Sequence, residues 1–485
     1  MVLVKSAFLG LTMSCCQCHD HKYDPFSQAD HFRLRAFFAG VTPRDDLAVS
    51  LADEQAEIDR HNADLDKQAA PLKAEQAKLD KADTEGHAKL KATLDEIETR
   101  RRHPRRAMGA TDSGSTAPAT HILFQGDFAS PRDEVPPGFV SVLAPGPAVI
   151  EPPHDSTTGR RLALADWIAS TDNPWTARVI VNRIWQQHFG NGLVATPNDF
   201  GFSGTRPTHP ELLDWLAVEF MQHGWSIKQL HRMIVISATY RQASGGMLLQ
   251  ELHTTDVGVR PTKVDPDNTL LWRHNVRRLD AETLRDSLLA VSGLLKPFET
   301  GKPLWPPVPD ELRKAQPAIL EAEKGGDGGR MQGWYTDPIE QTDVRSVFLV
   351  RKRCLPVPFL QAFDLPDTTV SCARRDTTVV APQALMFLNS PEAVRFAETL
   401  ADRVAGKIES ATFADAAQTT QMIETLFQRT LGRSADAEEL KLATDLLKRH
   451  AEQHRSAGRK GSAERLALVD LCRAVLNLNE FAYVD

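Results

Sequence analysis

The stretch Thr208-His-Pro-Glu-Leu-Leu-Asp-Trp-Leu-Ala-Val-Glu-Phe-Met-Gln-His-Gly224, continued by Trp225-Ser-Ile-Lys-Gln-Leu-His-Arg-Met-Ile-Val-Ile-Ser-Ala-Thr-Tyr240, decides the fold class. Thr208 and Glu211 have the form of a capping box, in which a hydroxyl accepts from the first turn and a carboxylate reaches back. Gly224 marks the end of that helix, and Ser226 with Gln229 opens the next, running to Tyr240. Similar punctuation recurs further along. Asp280 opens a segment closing at Gly293, Ser390-Pro391 opens another with proline in the tolerated first turn, and two amphipathic helices follow Leu431-Gly-Arg433. The interval from about Lys296 to Asp343, with Pro303, Pro306, Pro307, Pro309 and Gly325-Gly-Asp-Gly-Gly329, predicts a long loop or lid.

Toward the amino terminus, residues 51 to about 103 are poor in aromatics and rich in Ala, Lys, Asp and Glu. Ile58, Leu65, Leu72 and Leu79 recur by sevens, and Leu90, Leu94 and Ile97 follow, so a coiled-coil-like helical hairpin is expected across a break at Thr84-Glu-Gly86. Pro71 predicts a kink or second break in the first arm. A Gly/Ser/Pro-rich stretch follows, with His121 to Gln125 as a short strand and Pro-rich chain from Val135 to Pro153. The predicted class is therefore mainly α. Its parts are residues 1–50, a charged hairpin over 51–108, a connection with a few short strands over 109–159, and a large helical domain over 160–485.

With 57 basic and 64 acidic residues the net charge is −7, which argues against a general nucleic-acid binder, whose surface must be cationic. No run of apolar residues is long enough to span a membrane. The first fourteen residues are too short for a convincing signal peptide.

The sharpest local chemistry is Cys15-Cys16-Gln17-Cys18-His19, which contains Cys-x-x-Cys-His. Cys15 and Cys18 are spaced for two thioethers to one haem c, with His19 placed to ligate its iron and His31 as one candidate for the sixth position. Zinc held by these cysteines and histidines, and a Cys15 to Cys18 disulfide, are competing readings. Cys354, Cys372 and Cys472 are isolated in sequence.

Further candidates lie downstream. Asn182, Arg183 and His188 belong to a helix on which Val181, Ile184, Trp185 and His188 share a face, so Trp185 reads as core. Asp199 and His209 supply nearby polar groups. Arg374, Arg375 and Asp376 could clamp a carboxylate or sulfate through forked hydrogen bonds, or form an internal ion-pair network. The signatures of serine hydrolases, zinc proteases, P-loop proteins and dinucleotide-binding folds are absent from the sequence.

Phe8-Leu-Gly-Leu-Thr12, Cys15 through Pro25 and Asp30-His-Phe-Arg-Leu34 resemble the carboxyl-terminal end of a planctomycete cytochrome-associated domain, domain-of-unknown-function family 1549. From Arg161 onward the chain resembles its companion, family 1553. The matching stretches include Val181-Asn-Arg-Ile-Trp185, Gly190-Asn-Gly-Leu-Val194, His209 to Asp214, Arg278-Leu-Asp-Ala-Glu282 with Arg285-Asp286, Ser371 to Asp376, and Ala381-Pro-Gln-Ala-Leu385. The resemblance implies a periplasmic or extracellular setting, a redox partner, and a chain that begins inside its first domain. It implies no reaction. Electron transfer through a haem is the leading expectation, a cell-surface polysaccharide-binding or scaffold protein is the alternative, and a glycan hydrolase or lyase is the third.

Overall fold

The computed structural model describes residues 4–78, 83–104, 106–152, 154–244, 261–298, 303–319, 333–367, 371–406, 413 and 415–484. The protein is mainly α, and the strands among the described residues occur only as two-stranded pairs. The chain divides into two compact units: residues 1–5 with 12–174, and residues 6–11 with 175–485.

In the first unit, helix α1 (Gln28–Ala36) starts at a capping box made by Ser27 and Asp30. The buried Asp30 carboxylate also accepts from the backbone N–H and hydroxyl of Ser141, tying the Pro-rich segment to that helix. Strand β1 (Val41–Ala48) pairs antiparallel with β2 (Arg106–Asp112), with a register shift between Arg44 and Leu47. Between these strands the chain runs out and back as helices α2 (Ala52–Gln76) and α3 (Thr84–Thr99). Leu65, Ala69 and Ile97 are buried between them, with Leu72 and Leu94 alongside. Asn62 and His61 near the start of α2 bond the backbone of Arg102 and Arg100, so the arms are antiparallel.

Two details differ from the sequence expectation. Helix α2 is continuous through Pro71, since one missing N–H near its end is outweighed by the bonds on either side. The break falls before Thr84, because the Asp83 carboxylate accepts from Gly86 N–H and draws Thr84-Glu-Gly86 into the first turn. Leu79 lies outside the described residues. Strands β3 (His121–Leu123) and β4 (Pro131–Glu134) form a hairpin whose Leu123 packs with Phe32 and Val135. Helix α4 (Arg160–Ile168) brings Trp167 onto Phe139, which also stacks on Phe37.

In the second unit, α5 (Pro174–Phe189), α6 (Pro210–Gln222) and α7 (Ile227–Ile236) enclose one core, in which Trp185 stacks on Phe189 with ring centroids 4.2 Å apart. Ser226 caps α7 through Gln229 N–H as its sequence predicts, although that helix stops at Ile236 rather than Tyr240. Thr208 does not cap α6. His209 occupies that position without a side-chain capping bond, and the Thr208 hydroxyl is turned back toward Leu193 O.

A second core is built by α8 (Ala281–Ser292), α9 (Pro358–Ala362), α10 (Ala381–Asn389), α11 (Pro391–Ala405), α12 (Ala416–Thr430), α13 (Ala437–Ser456) and α14 (Ala463–Leu476). Asp280 and Ser390 cap α8 and α11 as expected. Strand β5 (Arg277–Arg278) pairs with β6 (Tyr483–Val484), bringing the carboxyl-terminal segment beside the start of α8. The interval from Lys296 to Asp343 is more than a lid in its described part. Val308, Ile319 and Trp334 are buried in the second core, and Trp334 Nε1 donates to Pro306 O at 3.0 Å, so apolar burial overrides the proline-rich composition. The glycine run 325–329 lies outside the described residues.

Candidate functional site

In the first unit Cys15–Gln17 form a 3₁₀ turn, with the N–H groups of Cys18 and His19 reaching Cys15 O at 3.0 and 3.3 Å. The turn sorts three neighbouring thiols. Cys16 is buried and directed at Phe26 O, and burial, with Cys15 beside it, pushes its pKa up to about 12. Cys18 is exposed and Cys15 half-buried, and all six cysteines of the chain are free thiols. Gly126 leaves room at Cys18, because a Cβ there would lie 2.9 Å from the Cys18 sulfur.

His19 is exposed, and its Nδ1 lies 2.6 Å from the carbonyl oxygen of Asp20. A carbonyl only accepts, so Nδ1 carries the proton and Nε2 is left as the lone-pair atom. His21 is committed differently. Its Nδ1 accepts from the N–H groups of Asp24 and Tyr23 at 2.9 and 3.3 Å and holds the turn that follows. His31 is buried, with Nδ1 2.9 Å from the buried Lys5 ammonium and 3.3 Å from Met13 O. Burial first, then the Lys5 charge, lowers the His31 pKa to about 4, and burial lowers that of Lys5 to about 8.

The second unit separates the other candidates into fasteners and free groups. Asn182 is fully buried and bonds both the N–H and the carbonyl of Val194. Arg183 donates to Ser6 O, Pro197 O and Asn198 Oδ1, fixing the loop after α5. His188 Nε2 meets His231 Nδ1 at 2.7 Å and its ring lies edge-on to Tyr240, while burial lowers its pKa. Asp199 accepts from Gly201 N–H, and half-buried His209 bonds only its neighbour Thr208 among the described contacts. These residues do not converge on one cavity.

The segment Arg278 to Asp286 works as a hub. Arg278 pairs with Asp364 at 2.6 Å, Glu282 takes both ends of Arg375, Arg285 donates to the carbonyls of Thr342 and Val344, and Asp286 accepts from Ser346. Asp364 has a left-handed backbone at φ 64°. Burial opposes its ionisation, yet the bonds from Thr378 and Arg278 hold its pKa below the usual range.

Arg374 has no such tie and reaches only Asn191 Oδ1, at 3.2 Å. It faces a cleft of about 700 Å³ that is also lined by Gly190, Arg273, Arg277, Asp376 and Thr378. Arg273 and Arg277 carried no sequence signal, since each lies about a hundred residues from Arg374.

One grouping went unread in sequence. Among the described residues, the His, Cys, Asp and Glu atoms close enough to share an ion are those of His450, His454 and Asp470, all within 4.8 Å. Both rings bond the same Asp470 Oδ2 at 2.8 Å, and Arg473 approaches the other oxygen at 3.4 Å, so the contacts form a hydrogen-bonded clamp between α13 and α14. The spacing of His450 and His454, four apart on a helix, was the available signal. Among the described residues, the donors of the Cys15 to His21 segment do not form such a grouping.

A chain with this mainly helical second unit falls into a defined class. Residues 160–447 match the family described as a protein of unknown function, DUF1553, and the chain belongs to that family. Residues 2–43 match the protein of unknown function DUF1549, giving the order expected from the sequence. Both are cytochrome-associated types of domain without an assigned activity. No curated protein and no solved structure matches the chain. Among the described residues, no helix is long and apolar enough to cross a membrane.

Proposed function

We propose that the chain is an extracytoplasmic electron-transfer protein that carries a c-type haem through Cys15 and Cys18, with His19 as the iron ligand. The observation that carries this reading is the Cys15 to His19 turn, in which His19 keeps Nε2 free because Asp20 O engages Nδ1. A histidine whose second nitrogen is fixed by a carbonyl is oriented and made more basic as a ligand. Sequestration of Cys16 leaves one pair of thiols at the required spacing, and Cys18 is exposed. A sixth ligand from this chain would be His31 through Nε2 in the tautomer whose Nδ1–H donates to Met13 O, because an Nδ1 that accepts from the Lys5 ammonium leaves the ring proton on Nε2. The haem would supply one-electron chemistry, and the chain would tune its potential by ligation and burial.

The test is a pyridine haemochrome spectrum of the chain exported behind an added leader in cells with the haem-maturation machinery. One covalently bound haem per chain, lost in Cys15→Ser and Cys18→Ser, is the expected result. A natively folded protein, checked by circular dichroism, that leaves maturation without covalent haem overturns the proposal.

A further inference from the structure

We infer that the arginine-lined cleft of the second unit binds an acidic carbohydrate, an oligosaccharide bearing carboxylate or sulfate groups, between Arg273, Arg277 and Arg374. The inference is independent of the haem reading. Its basis is a contrast among neighbouring cations. Arg278 and Arg375 are neutralised by Asp364 and Glu282, whereas Arg273, Arg277 and Arg374 form no ion pair among the described residues. Their protein bonds are to neutral acceptors: Arg273 to His274 O, Arg277 to Gln187 O and Arg374 to Asn191 Oδ1. Such bonds position a guanidinium without cancelling its charge. The Nε of Arg277 is also buried with no acceptor, a donor that the fold leaves unused.

The backbone accommodates this arrangement. Gly190 has φ +84°, and a Cβ there would stand 3.0 Å from Cδ of Arg277, so the bare glycine lets that side chain lie along the cleft. Within a chain whose net charge is −7, three unpaired arginines in one cleft form a local cationic site rather than a general basic surface.

The rest of the lining selects the class of anion. A volume of about 700 Å³ is far larger than a single inorganic ion needs and suits a ligand of several rings. Asn191, Thr377, Thr378 and the Asp376 carboxylate stand beside the arginines and offer the mixed donors and acceptors that read hydroxyl groups. Asp376 is the one carboxylate among the described residues lining this cleft, so charge there favours an anion while leaving an acceptor for a sugar hydroxyl. Arg374 also lines an adjoining cavity of about 430 Å³ with Arg183 and Gln187, which gives a chain-like ligand a continuation. Planar guanidinium forks match carboxylate and sulfate through paired hydrogen bonds.

The test is calorimetric titration of the full chain with short oligogalacturonates, dextran sulfate oligomers, neutral dextran oligomers, inorganic sulfate and a single-stranded oligonucleotide. Binding of at least one acidic oligosaccharide is expected, weakened tenfold or more in Arg277→Gln and Arg374→Gln and unchanged in Arg232→Gln, an exposed arginine on α7. Circular dichroism confirms that each variant is folded. The inference is overturned if folded protein binds neither acidic oligosaccharide, binds neutral dextran equally well, or retains inorganic sulfate alone. Tighter binding of the oligonucleotide, or equal weakening by Arg232→Gln, overturns it as well.

Discussion

Arg375 is forked onto Glu282, with Nη1 2.5 Å from Oε2 and Nη2 3.2 Å from Oε1, while the adjacent Arg374 touches only the side-chain amide of Asn191. Two neighbouring arginines therefore do different work. One fastens the 371–378 segment to the first turn of α8, and the other keeps its charge for the cleft.

Removing the fastener should cost stability. In Glu282→Ala, Arg375 loses its forked carboxylate and keeps only Asp280, 3.6 Å away. The expected loss is about 1 to 3 kcal/mol, the range for depriving a partly buried charged group of its partner. Glu282→Gln, which retains one acceptor, should lose less. Urea denaturation of the three proteins checks the order, and an unchanged midpoint in Glu282→Ala would show the pair to be dispensable.

A second prediction concerns acid. Asp112, at the end of β2, accepts from Thr157 Oγ1, Thr158 N and Thr158 Oγ1 at 2.7 to 2.8 Å, with Arg161 at 3.1 Å. Burial would raise its pKa, but the threonine bonds and Arg161 outweigh that and bring it down to about 2 from 3.8. A carboxylate with a depressed folded pKa stabilises fully above its unfolded value and loses that contribution as pH falls. The Asp112 share, roughly 2 kcal/mol, should therefore be present above pH 4 and fade toward pH 2. Asp112→Asn should unfold at lower urea than the parent at pH 6, with the gap closing toward pH 2. A gap that persists at pH 2 would refute the assignment.

How much of this was legible follows from the range of the interactions. Helix starts at Ser226, Asp280 and Ser390 are contacts between a side chain and a backbone N–H three residues on, so local sequence displays them. The hairpin of α2 and α3 was visible in its apolar spacing. The β1–β2 ribbon that carries it was not. Val41–Ala48 contains Pro43, Arg44 and two aspartates with no alternating apolar face, and its partner lies beyond the whole hairpin. Thr208 misled because its hydroxyl, which a cap would use as an acceptor, is turned to donate to Leu193 O, a partner fifteen residues away that local sequence does not display. At the sites, Cys-x-x-Cys-His is contiguous and readable, and only the fold could separate Cys16 from its neighbours. The cleft joins Gly190, Arg277 and Arg374, which share no local pattern, so long-range packing alone reveals it.

The clamp at Asp470 yields the last prediction. Its Oδ2 accepts from His450 Nδ1 and His454 Nε2, both at 2.8 Å, and His454 is buried. Burial pushes the carboxyl pKa up, but the two imidazole bonds outweigh it and hold the group below its usual range. Asp470→Ala strips both rings of their common acceptor and should cost about 2 kcal/mol, the scale for leaving a buried polar group unsatisfied. Asp470→Asn keeps one acceptor oxygen and should fall between Asp470→Ala and the parent. Because the folded pKa is depressed, the contribution is present above the unfolded value of 3.8 and is lost as pH falls through the folded one. Denaturation midpoints of the parent and Asp470→Ala should therefore differ most near neutral pH and converge below pH 3.8. A difference independent of pH would mean that Asp470 acts by packing rather than by charge.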